Sequence, residues 1–519
     1  MHFSIPDTEE WAGEAARFVT YNIHVNGALH CRVRYSQMHG LHEQLKRCSG
    51  GGVGQMFPPK RLLPLSSAQV EQRRELLERY IQAVSQDPVL GTSEVFHSFL
   101  RKAQQDTQQV PSQAVQLQVL LANGQMVSVH VESTHQTDDI LEAVAAKLEL
   151  PEELVHYFAL FLVRDRGGGA FSFIRRLQEF ELPYISVTSL QSLDYKIVLR
   201  KSYWDTAYDD DIMESIVGLN LLYIQAVSDV ERGWIVASKE QLQQLKSLQD
   251  KGSKKEYIQF SQTLKYYGYL QFDPCITDFP EKGCKVIVAV GNKELNFRVL
   301  LSSDQAKEGS FKVTRMRCWR VASCVTTAAR HGAPSQVAAS NGLVSAPPLS
   351  ATLRATTSPA EVRLELAFEY LITKDKLQWI SISSQQAIMM SICLQGMVDE
   401  LMIKKSGGKI RKARLVEMRE EKNRGFMQCH LVRPQMKRGR LSSRVEFSNK
   451  HSPPQTSPES AKELPTVRVS SKLSSMSLRG LACSALVGGL ASRGSQVRGG
   501  SGDGYLENDA FEGIGDDDL

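Results

Sequence analysis

Arg34, Lys60 and Arg73 are the residues of this chain best placed to do specific chemistry. Arg34 opens the step Arg34-Tyr35-Ser36. Lys60 ends the run Phe57-Pro58-Pro59-Lys60. Arg73 leads the pair Arg73-Arg74 within Val70 to Val84, a stretch of helical periodicity. A guanidinium presents a planar fork that binds phosphate through two hydrogen bonds, and an ammonium adds a compact charge. The proline pair stiffens the loop that presents Lys60. Tyr35 offers a ring face for stacking beneath a sugar or inositol ring. The set reads as a grip for a phosphorylated headgroup. The competing reading, a solvated surface, is the usual fate of any one isolated Arg or Lys.

Order and context favour the grip. Tyr21 to Gly27 supplies a hairpin with Asn26-Gly27 as its turn, a pair favoured in type I′ geometry. Hairpin, Arg-Tyr-Ser step, proline loop and Arg-led helix together resemble a PX domain, the phosphoinositide-binding module of the sorting nexins. The resemblance implies that Arg34 and Arg73 hold the phosphates of phosphatidylinositol 3-phosphate. It implies that Lys60 holds the 1-phosphate, with Tyr35 stacked on the ring beside Ser36. The segment Cys48 to Gly54 (CSGGGVG) departs from the pattern in its glycine content.

The elements around this segment bound the rest. With 519 residues, two to four domains are expected. The net charge of +5 is too small to point to nucleic acid. Nine Cys are scattered without a CxxC pair or zinc spacing, as in a chain of reduced thiols in the cytosol. The start of the chain does not read as a signal peptide, and no apolar run reaches the length of a membrane span, about 18 residues. Membrane contact is therefore expected to be peripheral. No metal site and no cofactor are expected. There is no HExxH, GxSxG or Walker loop, and Asp209-Asp210-Asp211 reads as the approach to a helix N-terminus, where carboxylates are favoured.

From Val115 a hairpin, then a helix carrying Ile140, Leu141, Val144 and Leu148 on one face, then strands at Phe158–Val163 and Tyr195–Leu199, give a ubiquitin-like order. Asp209 to Gly268 reads as mostly helical. Strand candidates follow at Val286–Val290, Asn296–Leu300, Phe311–Val321, Val362–Tyr370 and Leu377–Ile382, and Ser384 to Lys404 is one amphipathic helix. Ubiquitin-like, helical and phosphotyrosine-binding-like lobes in this order resemble a FERM domain. PX joined directly to FERM resembles one subgroup of the sorting nexins. The expected fold is α+β and multidomain: a PX domain over 1–108, lobes over 115–202, 203–273 and 274–405, and a disordered tail over 406–519. A disordered insertion is expected at 323–360, where Ala, Ser, Thr and Pro dominate.

Trp319 lies in the alternating run Met316 to Val321. A strand there can accept an extended peptide by β-augmentation beside the final helix; the rival reading makes Trp319 plain core. The resemblance implies that this strand pairs with Asn-Pro-x-Tyr or Asn-x-x-Tyr receptor tails, that Trp319 packs on the peptide, and that Ile388 and Met389 help form an aromatic pocket; Arg320 and Arg317 are placed to assist through charge. The chain's own Asn508-Asp509-Ala510-Phe511 imitates the motif. It is expected to dock in the same groove. The resemblance implies that the last residue, Leu519, is captured by the Retriever recycling complex. The whole reads as a monomeric endosomal cargo adaptor, cytoplasmic and peripheral on early endosomes. The alternatives are a cortical FERM scaffold, which needs an actin-binding tail, and a lipid-regulated enzyme, which needs an acid/base cluster.

Overall fold

A computed structural model of the chain describes residues 1–12, 17–48, 57–61, 63–167, 170–299, 307–326, 361–374, 376–407, 506–508 and 510–511. The first module is an antiparallel sheet of β1 (Phe3–Ser4), β2 (Thr8–Ala12), β3 (Arg17–Val25) and β4 (Ala28–Arg34), in which β3 pairs with the other three. Asn26 and Gly27 join β3 to β4 with φ of 51° and 83°, the left-handed pair that a type I′ turn requires. Three helices pack on the sheet: α1 (Tyr35–Cys48), α2 (Ser67–Gln86) and α3 (Glu94–Gln108). The second starts earlier than its apolar periodicity suggests, because Ser66 and Gln69 form a reciprocal capping box. The third runs on into a Gln-rich stretch. Ala103 and Gln104 are buried there, so the helix continues to Gln108 and ends with Gln109 left-handed at φ 52°.

The next lobe holds β5 (Ala114–Leu120), β6 (Met126–Glu132), α4 (Thr137–Leu148), β7 (Phe158–Asp165), β8 (Phe171–Arg176), α5 (Pro183–Thr188) and β9 (Tyr195–Lys201). Its sheet order is β6-β5-β9-β7-β8, with β5 and β9 parallel. Then come four helices, α6 (Tyr208–Met213), α7 (Ile216–Glu231), α8 (Lys239–Asp250) and α9 (Lys254–Gln262). The last lobe is built from β10 (Leu270–Gln271), β11 (Cys275–Thr277), β12 (Cys284–Gly291), β13 (Glu294–Val299), β14 (Lys307–Lys312), β15 (Met316–Thr326), β16 (Glu361–Thr373), β17 (Lys376–Ser383) and α10 (Ala387–Lys405).

Two expectations need correcting in this lobe. The strand expected over Phe311–Val321 is two, β14 and β15, separated by a 3-10 turn at Val313–Arg315. Val313 and Met316 are both fully buried although three residues apart, so the period-two alternation changes phase across the break. The insertion expected from Ser323 starts later, because Ser323 to Thr326 still pair with β16 down to Glu361. The remainder of that segment, the Gly-rich run after Cys48, and most of the expected tail, Leu519 included, lie outside the described residues.

The PX-like and ubiquitin-like modules share a core. Phe180 belongs to the second module but is buried among the apolar residues of the first, 6.4 Å from the Phe3 ring, 5.5 Å from His30 and 5.4 Å from His97. Gln104 seals the junction. Its Oε1 accepts from Leu182 N at 2.9 Å and its Nε2 donates to Ser186 Oγ at 2.9 Å. Beneath it, Arg175 and Glu181 form a buried ion pair. No helix among the described residues is long and apolar enough to cross a membrane.

Candidate functional site

The cationic site is organised by Tyr35. Arg34 leaves β4 at the start of α1, exposed, with its backbone N–H donating to Gln37 Oε1 at 2.7 Å and its guanidinium 3.3 Å above the Phe18 ring. Tyr35 is half-buried. Its hydroxyl donates to Pro58 O at 2.9 Å, its ring lies 5.6 Å from Phe57, and the Arg73 guanidinium sits 4.2 Å from its ring centroid. One side chain therefore joins three elements: the head of α1, the proline loop ending in exposed Lys60, and α2. Burial pushes the Tyr35 hydroxyl pKa up, while the Arg73 charge pulls it down. Arg73 Nη2 is shielded from solvent and makes no hydrogen bond. Its neighbour does different work: Arg74 is held by Glu71 at 2.6 Å, by Glu78 at 3.5 Å and by the carbonyl of Ile5. The two arginines are thus divided between site and scaffold. Ser36 is exposed in the first turn of α1.

The second site lies at the open edge of β15, and the chain's own tail occupies it. Leu506–Glu507 form β18, antiparallel to β15, with Leu506 opposite Trp319 and Glu507 opposite Cys318. Asn508 anchors the segment. Its backbone N–H donates to Arg317 O at 3.1 Å, and its Nδ2 donates to Val313 O at 2.8 Å and Met316 O at 2.6 Å. The 3-10 turn missed in the sequence supplies the first of those carbonyls, and the first residue of β15 the second. Asn508 also folds its own segment: Oδ1 accepts from Ala510 N at 2.9 Å and its carbonyl accepts from Phe511 N at 2.9 Å. Ala510 is fully buried in the lobe's core cluster, and Phe511 is half-buried.

Trp319 serves both core and groove. With the tail in place it is fully buried in the cluster of Leu366, Phe368, Ile380 and Met390, and its Nε1 donates to Ser391 Oγ on α10 at 3.0 Å. Arg320 lies 5.4 Å from the Trp379 ring, and Arg317 pairs with Glu369. Met389 is buried in the same core cluster as Trp319. Ile388 is also buried, and its Cδ1 lies 2.8 Å from where a Cβ on Gly27 would stand, so it rests against the PX-like hairpin.

Sequence reasoning missed the supports. Asp209, read as part of the approach to a helix N-terminus, is completely buried. It accepts from Lys201 Nζ at 3.1 Å, Gln262 Nε2 at 2.9 Å, Tyr267 OH at 2.8 Å and Tyr203 OH. Glu400 on α10 was also missed. It accepts from Trp204 N at 2.9 Å and Asp205 N at 2.6 Å, which ties the groove's helix to the junction between the first two lobes. Burial pushes the Glu400 carboxyl pKa up, against the pull of those two donors.

A PX-type headgroup site in front of three FERM lobes, the third holding a strand at its open edge, defines a PX-FERM adaptor. The family profiles agree lobe by lobe. The PX domain matches residues 21–103, and the F1 lobe of the sorting nexin 17/27/31 FERM domain matches 115–204. The F2 lobe of the sorting nexin 17/31 FERM domain matches 205–265, and the sorting nexin 17 FERM C-terminal domain matches 268–339 and 349–402. Sorting nexin-17 of Danio rerio is 57% identical over 520 residues and that of Homo sapiens 56% over 525, each match covering 100% of both chains. Sorting nexin-31 of Homo sapiens is 35% identical over 409 residues, 78% of this chain and 86% of that one. The chain belongs to the sorting nexin-17 family, whose members are endosomal sorting adaptors and not enzymes.

Proposed function

We propose that this adaptor reads two signals at once. The site around Tyr35 takes phosphatidylinositol 3-phosphate on the cytosolic face of early endosomes, and the β15 edge takes Asn-Pro-x-Tyr or Asn-x-x-Tyr motifs of receptor tails. Receptors held in this way are returned to recycling instead of lysosomal degradation. The protein acts as a monomer. Each contact is weak, and the two together gain from effective concentration. The observation that carries the reading is the seat of Asn508: an Asn-x-x-aromatic segment already lies on the β15 edge, with its asparagine amide bonded to two backbone carbonyls.

The lipid half is tested by the split between the two arginines. Arg34→Ala and Arg73→Ala should each weaken binding to phosphatidylinositol 3-phosphate liposomes by about 1.5–3 kcal/mol, the worth of a charge-assisted contact. Arg74→Ala should instead lower the melting temperature, with little effect on the affinity of the folded protein. Co-sedimentation with liposomes of each phosphoinositide measures this. A folded Arg34→Ala protein that binds as wild type would remove Arg34 from the site.

The tail half follows from the same groove. Docking within one chain gains an effective concentration of about a millimolar, enough for a weak motif to mask the edge. Cargo displaces Asn508 and Phe511 and frees the chain end, where Retriever captures Leu519. Phe511→Ala should strengthen the affinity for an Asn-Pro-x-Tyr peptide, read by calorimetry. Removing Leu519 should abolish Retriever capture in a pull-down and leave peptide affinity unchanged. Peptide affinity in Phe511→Ala no greater than wild type would refute the masking.

A further inference from the structure

The arginines around the headgroup site are held in two different ways. Arg32 is bound by the Glu9 carboxylate at 3.1 Å and Arg74 by Glu71 at 2.6 Å. Arg34 and Arg73 have no carboxylate partner among the described residues. Each lies over a ring instead. Arg73 is 4.2 Å from the Tyr35 centroid, and Arg34 is 3.3 Å from the Phe18 centroid. The two kinds of support differ in what they leave free. A carboxylate takes the N–H fork and offsets its charge. A ring takes only the planar face, so the N–H edge and the charge stay open to an anion.

Phe18 is placed for this support and not for the core. It lies in β3 two residues before Thr20, and Thr20 stands opposite Arg34 in the ladder with β4. Alternate strand residues share a face, so Phe18, Thr20 and Arg34 lie on one side of the sheet, with Phe18 and Arg34 on a diagonal that long side chains can span. Val19, the next residue, packs against the core of the module from the other side, whereas Phe18 is half-buried and outside that cluster. Trp11 stands opposite Phe18 on β2, and its Nε1 donates to Thr20 Oγ1 at 3.1 Å. Phe18 thus has an indole on the side away from Arg34.

We infer that Phe18 is a positioning residue for headgroup binding. Its ring holds the Arg34 guanidinium flat in the unliganded protein, with the fork free, so that a phosphate meets an arginine already in place. An unsupported arginine at this exposed position would lose more side-chain freedom on binding. Phe18 acts through Arg34 and does not itself touch the headgroup. This rests on the reading of the Tyr35 site as a phosphatidylinositol 3-phosphate site.

The test uses the full chain with two probes, phosphatidylinositol 3-phosphate liposomes and soluble inositol 1,3-bisphosphate. Phe18→Leu keeps apolar bulk and removes the ring face. It should weaken both probes by about two- to fivefold, the range for an exposed cation–π contact. Phe18→Tyr keeps the face and should bind both as wild type. Added to Arg34→Ala, Phe18→Leu should cost almost nothing further; the same loss in that background would mean that the ring does not act through Arg34, and would overturn the inference even if Phe18→Leu had disturbed the fold. A loss on liposomes alone would assign Phe18 to the bilayer and overturn it too. If Arg34→Ala loses affinity while Phe18→Leu binds as wild type, the inference falls alone. If Arg34→Ala binds both probes as wild type, Arg34 leaves the lipid reading and the inference falls with it.

Discussion

Trp319→Ala should lower the stability of the third lobe by about 3–5 kcal/mol, the usual cost of truncating a buried aromatic to alanine, and should abolish peptide capture with it. The two losses share one cause. The indole fills the space between β15 and α10 among Phe368, Met390 and Ala510, and its N–H holds Ser391. Removing it loosens the strand edge against the helix that walls the groove, so the carbonyls of Val313 and Met316 no longer stand where Asn508 or a receptor asparagine needs them. Trp319→Phe separates the contributions. It retains much of the packing and leaves Ser391 without its donor, at a cost of about 1–3 kcal/mol for a buried polar group left unsatisfied. Binding at the proposed headgroup site should be retained in both, because Tyr35 and its partners belong to a separate core cluster. Scanning calorimetry beside peptide titration gives the answer. A Trp319→Ala protein that melts as wild type would show that the side chain is not core.

The parts of this architecture that were legible in the sequence are those written by neighbours in the chain. The Asn26-Gly27 turn, the helical periodicity of Val70 to Val84 and the alternation along β5 and β6 are local patterns, and they place Arg34 and Arg73 on the correct elements. The tail motif was legible for a different reason: Asn508 and Phe511 copy the ligand that the groove is expected to bind. What was not legible depends on residues that meet only in the fold. Asp209 reads only as one of three acids approaching a helix N-terminus, because its partners come from β9 and from the segment Gln262 to Tyr267. Burial of a carboxylate among Lys201, Tyr203 and Tyr267 leaves no periodic trace.

The final helix shows the same limit. α10 is apolar on several faces, so helical spacing could not say which of Ile388, Met389 and Ser391 meets the peptide strand. The structure divides them: Ile388 toward the PX hairpin, Met389 into the core, Ser391 to Trp319. The proline loop is a middle case. Pro58-Pro59 marked it as stiff, but the bond that fixes it, Tyr35 OH to Pro58 O, spans 23 residues and has no sequence signature.

Phe180→Ala should uncouple the PX module from the FERM lobes. The ring is 99% removed from solvent, and it sits in the core of a module other than its own, edge-on to His30 and stacked with Phe3. Deleting it leaves a cavity shared by both modules and should cost about 3–5 kcal/mol. That loss falls on the junction, since β7 and β9 of the ubiquitin-like sheet keep their own cluster. Calorimetry of the full chain should then show the PX module melting at a lower temperature, ahead of the lobes. The amide of Leu182, which donates to Gln104 Oε1, should exchange its hydrogen faster. Gln104→Ala removes that acceptor and the partner of Ser186 without opening a large cavity, so it should raise exchange at Leu182 with a smaller thermal shift. Headgroup affinity should survive in both variants, because Arg34, Tyr35 and Arg73 lie on elements that Phe180 does not hold together alone. The consequence should appear when both ligands are present. A membrane-anchored peptide gains effective concentration only while the two sites keep a fixed spacing. Phe180→Ala should therefore reduce the joint binding of lipid and peptide on one vesicle more than it reduces either alone. An unchanged melting profile together with unchanged Leu182 exchange would show that the two modules are not held by this ring.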